Sequence, residues 1–148
     1  MKYEISDGTL VIMPNNYKES LVYEDNEQMK IDQSPFEIME ESCKYFGSTY
    51  KGRKDSARSI LGAQYKLPII VEDSNNIILF PTNSPTAEDC VWVSLKRIKN
   101  YKKVDSMTTQ IFFDNGVEII VPTSYRSFEN QLSRASRLDL IMRNRKSK

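Results

Sequence analysis

Gly47 and Gly52 have the spacing of a phosphate-cradling loop within Phe46-Gly47-Ser48-Thr49-Tyr50-Lys51-Gly52-Arg53-Lys54. Phosphate chemistry at such a loop needs Lys followed by Ser or Thr after the second glycine, to reach the β/γ-phosphates and to hold Mg²⁺. Here Arg53-Lys54-Asp55 follows instead. The nucleotide reading fails at the two positions that carry it. What survives is a dense cationic stretch with Lys51, Arg53 and Lys54 beside two aromatic rings, fit to meet a polyanion or simply to be solvated.

Catalysis has little to build on. The chain contains no histidine, which removes Ser-His-Asp and Cys-His nucleophiles, His-ligated zinc and the usual general base near neutral pH. Cys43 and Cys90 are the only cysteines, and two thiols cannot close a structural zinc site. The sequence shows no export signal, so both read as reduced, buried thiols of a cytoplasmic protein. Glu72-Asp73 and Glu88-Asp89 fall in turns and read as solvated loop charges. No cofactor or metal site is expected, the chain reads as a non-enzyme, and no run is apolar enough for a membrane span.

The net charge of +1 conceals an asymmetry. Residues 1–41 hold three Lys against ten acids, a balance of −7, whereas residues 42–148 hold eighteen Lys or Arg against ten acids, a balance of +8. Such a split suits a protein that turns one face to a polyanion. Three clusters carry the positive charge. Lys51, Lys54 and Arg58 stand at i, i+3 and i+7, one stripe of a helix, with Arg53 beside them. Arg97 and Lys99 lie in the cation-rich run Lys96–Lys103, read as an edge strand presenting both on one face; edge lysines that discourage aggregation are the plain alternative. Arg126, Asn130, Arg134 and Arg137 fall within an arc of about 80° on a C-terminal helix. Asn130 suits either a base edge or a backbone hydrogen bond, and Trp92 reads as core. The three clusters together point to nucleic acid.

The elements that must position these side chains define an α+β fold: antiparallel hairpins in a mixed sheet, packed with about three helices. Asp7-Gly8 between Tyr3–Ser6 and Thr9–Met13 signals a hairpin, and Leu21–Tyr23 with Gln28–Ile31 a weaker one. Ser34-Pro35 starts a helix over residues 35–46 that stops at Gly47. A second helix runs from about Tyr50 to Leu61 and ends at Gly62. Pro68–Val71 and Ile77–Phe80 form a hairpin whose unbroken apolar runs imply burial on both faces. Cys90–Leu95 is a strand leading into the second cluster. Thr108–Phe113 and Val117–Val121 flank Asp114-Asn115-Gly116 as the clearest hairpin. Ser124 caps a last helix to about Met142. At 148 residues one domain is expected, with acidic hairpins over 1–33 and a basic core over 34–148.

The sequence resembles the ComK family of competence transcription factors. The likeness rests on Ser42–Lys54, on Pro68–Val71 and Ile77–Thr82, on Cys90–Ser94, and on Ser124–Gln131, in order and in register. The resemblance implies an activator of DNA-uptake genes that binds paired A/T-rich boxes of double-stranded DNA, largely through the minor groove, as a homodimer or dimer of dimers. It also implies a tail beyond the last helix, bound by the MecA adaptor for proteolysis; the sequence ends at Lys148, so that partner is the weaker expectation. A narrow A/T groove favours an inserted Arg, a role that falls to Arg53, with Lys51, Lys54 and Arg58 on the flanking phosphates and Arg97 and Lys99, or Arg134 and Arg137, supplying further phosphate contacts. A protein-interaction module or anti-activator that never touches DNA is the rival reading.

Overall fold

In the computed structural model, which describes residues 2–16 and 18–147, the strands fall into two sheets. Thr9–Pro14 (β1), Ser20–Glu24 (β2), Gln28–Ile31 (β3), Ile69–Glu72 (β4), Ile77–Pro81 (β5) and Trp92–Ser94 (β6) make the larger, in the order β3-β2-β1-β6-β5-β4. Ile98–Lys103 (β7), Thr109–Phe113 (β8) and Glu118–Val121 (β9) make the smaller, in sequence order. The α+β class is as expected. Every pairing is antiparallel, and the hairpins divide between two sheets where one mixed sheet was expected.

Consecutive residues of a strand point to opposite faces, and the larger sheet is buried on both. Val11, Ile70, Ile78, Phe80 and Val93 join one apolar cluster, while Ile12, Ile69, Ile77, Leu79 and Trp92 join the other. The unbroken apolar runs of β4 and β5 therefore read correctly. Trp92 is core, fully buried with its ring edge-on to Tyr50. Removing a buried side chain of this size costs about 3–5 kcal/mol.

Three helices cover these faces. Pro35–Tyr45 (α1) begins with a capping box: Ser34 Oγ accepts from the Glu37 N–H at 3.2 Å, and Glu37 Oε1 accepts from the Ser34 N–H at 3.3 Å. Its Ile38, Met39 and Cys43 enter the Trp92 cluster. Tyr50–Leu61 (α2) is capped by Thr49, whose Oγ1 accepts from the Gly52 N–H at 3.0 Å. A Cβ on residue 52 would stand 3.0 Å from that same oxygen, so glycine there keeps the cap intact. Gly52 is thus a helical residue, as the expected helix from about Tyr50 to Leu61 requires. The helix stops where Gly62 takes φ +68°. Tyr125–Lys146 (α3), capped by Ser124, runs one turn past Met142 and buries Phe128, Gln131, Ala135 and Leu138. Phe128, Ala135 and Leu138, with Ala57 and Leu61 of α2 and Ile111 and Phe113 of β8, seal the cluster that holds Val11 and Phe80.

One expected hairpin is absent. Asp7-Gly8 does turn, but residues 2–6 form no strand, and β1 pairs with β2 and β6 instead. The backbone N–H groups of Tyr3 and Ile5 go to side chains, Gln33 Oε1 at 2.9 Å and Ser42 Oγ at 3.1 Å. Those bonds, with burial of Tyr3 and Ile5, satisfy the segment without a ladder.

Candidate nucleic-acid interface

At 100° per residue, Arg126, Asn130, Arg134 and Arg137 of α3 share one arc, which Arg145 extends and no acid enters. Arg126, Asn130 and Arg137 are exposed and Arg134 is half-buried. From Arg126 to Arg137 the arc spans about 16 Å along the helix. None of these arginines has a carboxylate partner among the described residues; the ion pairs the helix does make there, Arg143 with Asp139 at 3.0 Å and Lys146 with Asp73 at 3.4 Å, lie off the arc. Two of them are positioned by carbonyls: Arg134 Nη1 donates to Tyr65 O at 2.8 Å, and Arg137 Nη1 to Leu61 O at 3.5 Å. A carbonyl orients a guanidinium without cancelling its charge, and most of its five donors stay free for an anion.

Those bonds bring the third cluster against the end of α2, which carries the first. Lys51, Lys54 and Arg58 do form one stripe, but Asp55 sits beside it. Asp55 pairs with Lys51 at 3.0 Å and Arg58 at 3.3 Å, and the hydrogen bond from Lys51 holds its carboxyl below the usual range. The stripe is therefore partly neutralised from within. Arg53 stands on the other flank of the buried Tyr50–Ala57–Leu61 line, about 140° from Arg58, and makes no ion pair among the described residues. Its Nε is buried without an acceptor. Lys54 is likewise without a carboxylate partner.

The second cluster divides. Arg97 lies in a 3-10 turn, Leu95–Arg97, ahead of β7, so it does not share a strand face with Lys99. Its Nε and Nη2 grip Asp114, the latter at 2.7 Å; Nη2 also binds Asp25, and Nη1 donates to Asp7 O at 2.8 Å. Only 14% of the side chain is exposed. The two carboxylates raise its pKa further, while it holds Asp114 below the usual range. Arg97 ties three turns together across both sheets, with Lys96 bound to Asp7 alongside. Lys99, Lys102 and Lys103 are exposed on β7, an edge strand as expected. β7 meets the start of α3 through Tyr101, whose ring lies 5.4 Å from Tyr125 and whose hydroxyl donates to Glu129 at 3.1 Å.

The helix α3 thus joins the parts: its first turn beside the β7 lysines, its middle beside the end of α2 and the loop after it. Sequence reasoning did not single out Lys66, exposed in that loop, or Gln131. Buried Gln131 donates from Nε2 to Lys66 O and to Pro81 O, each at 2.8 Å. Only the apolar spacing of α3 hinted that position 131 faces inward. No group of three or more potential metal ligands occurs among the described residues, and none of their helices is long and apolar enough to cross a membrane.

An arginine face with no carboxylate within it is carried on a sheet-anchored helix, and a regulator of transcription is among this chain's relatives. It is 34% identical over 137 residues to the competence transcription factor of Bacillus subtilis (strain 168), covering 90% of this chain and 71% of that protein. The family model described as "ComK protein" matches residues 1–147; the chain belongs to the ComK family. No solved structure matches it.

Proposed function

We propose that the chain is a cytoplasmic transcription activator of competence genes that binds A/T-rich duplex DNA through the minor groove and the phosphates, acting as a homodimer or a dimer of dimers. The observation that carries this reading is the acid-free arc Arg126–Asn130–Arg134–Arg137 of α3. Arg126, Arg134 and Arg137 take phosphates, with Lys54 and Lys99 extending the contact from either side. Lys51 and Arg58 contribute less, because Asp55 already shares their charge. Arg53, half-buried and without a carboxylate, is the groove-reading residue. Family membership and the relative's name support a role in competence transcription.

Salt-dependent binding of the full chain to an A/T-box duplex and to a scrambled duplex tests the assignment. Each lost phosphate contact should lower the log–log salt slope by about 0.9. Arg134→Ala with Arg137→Ala should therefore lower it by about 1.8 on both duplexes. Arg53→Ala should instead narrow the gap between them. An unchanged slope in the double variant would remove α3 from the interface, and no salt-dependent binding by the wild-type chain would leave the protein-interaction reading.

A further inference from the structure

The loop from Gly62 to Leu67 carries Tyr65, whose residue is 80% exposed, more than any other large hydrophobic of the described residues. Its side chain makes no hydrogen bond or ring contact among them. Its backbone is held firmly. Tyr65 O accepts from Arg134 Nη1 and Lys66 O accepts from Gln131 Nε2, each at 2.8 Å. Gln131 is buried and fixed to β5 through Pro81 O. Lys66 also takes φ +53°, a region a residue with a side chain rarely adopts. Two consecutive carbonyls are thus anchored to α3, in a backbone shape that local preference resists, while the aromatic ring between them is left bare. Lys66 adjoins Tyr65, Arg134 binds the Tyr65 carbonyl and Arg137 binds that of Leu61 at the start of the loop, and residues 56–71 contain no acid.

We propose that Tyr65 is a wedge that stacks on a base step of duplex DNA while Lys66, Arg134 and Arg137 hold the flanking phosphates. The inference rests on the DNA-binding reading and adds to it a contact with the bases themselves. Proteins that enter the minor groove commonly insert an apolar side chain between base pairs and kink the duplex, and pyrimidine–purine steps such as TA yield most readily. A ring presented on a pre-set loop pays little conformational entropy on insertion. Bound DNA is therefore bent, and unstacked at one step.

The test uses the full chain with Tyr65→Ala and Tyr65→Phe. Duplexes of the A/T box carry 2-aminopurine at successive TA steps, and a donor–acceptor pair on the duplex ends reports bending. Wild type and Tyr65→Phe should change the 2-aminopurine signal at one step and bend the duplex. Tyr65→Ala should keep the melting temperature and the salt slope, lose both signals, and bind about tenfold more weakly. Tyr65→Ala behaving as wild type overturns the wedge alone. A loss in Tyr65→Phe as large as in Tyr65→Ala also overturns it, because a hydroxyl would then be acting. A wild-type chain that does not bind the duplex overturns the DNA reading, and the wedge with it.

Discussion

Arg97→Ala separates two roles that one arginine can play. In the fold, Arg97 is a clamp: its guanidinium meets Asp25, Asp114 and the Asp7 carbonyl, with 14% of its side chain exposed, while the Asp25 and Asp114 side chains are 44% and 49% exposed. Hydrogen bonds to charged groups contribute about 1.5–3 kcal/mol each when shielded, but exposed ion pairs contribute only about 0.2–1 kcal/mol. Half-exposed carboxylates regain water when the arginine leaves, so the loss should be about 2–3 kcal/mol in total. For a chain of this length that lowers the melting temperature by about 5–10 °C. Asp114 has its folded pKa depressed by Arg97, so its share is present above the unfolded value, near pH 4, and disappears as pH falls through the folded value. The gap between wild type and Arg97→Ala should accordingly be flat near neutral pH and shrink below about pH 4. Thermal melts across pH, with a double-mutant cycle against Asp114→Asn, measure it. Unchanged melting, together with a DNA salt slope lowered by about one, would refute the clamp and return Arg97 to the phosphates.

Gly62→Ala should destabilise the chain by about 1–2 kcal/mol, because φ +68° puts a Cβ in the left-handed region; chemical denaturation reads it, and an unchanged midpoint would contradict the helix stop. Burial pushes the Cys43 and Cys90 thiols up to about 11. Both should therefore resist alkylation at pH 8 in the native chain and react at once in denaturant; fast native labelling of either would contradict its burial.

Local chemistry was legible wherever it sufficed. The caps at Ser34 and Ser124, the stop at Gly62 and the unbroken runs of β4 and β5 each act through neighbours in the chain, and each stands where the sequence puts it. Tyr3–Ser6 was misread because Asp7-Gly8 is a sound turn signal, while the groups that take its N–H donors, Gln33 and Ser42, lie far along the chain. Arg97 was misread for the same reason: cations alternating with apolar residues look like an edge strand, and Asp7 and Asp25 are distant in sequence. Asp55 differs, since its place four residues after Lys51 and three before Arg58 was visible all along. Tyr65 carries no pattern at all, and its meaning comes from two carbonyl contacts made by another helix.

The larger sheet joins two three-stranded halves, β3-β2-β1 and β6-β5-β4, by a single seam where Val11 meets Val93. About eighty residues separate those partners, and at roughly 5–20 residues per second a ribosome takes on the order of ten seconds to deliver the second after the first. Through that interval β1 presents an unpaired apolar edge to solvent, open to any other nascent strand. Yield from the cell should thus depend on how fast translation proceeds between β3 and β6, and on whether a chaperone shields the growing chain until Trp92 emerges.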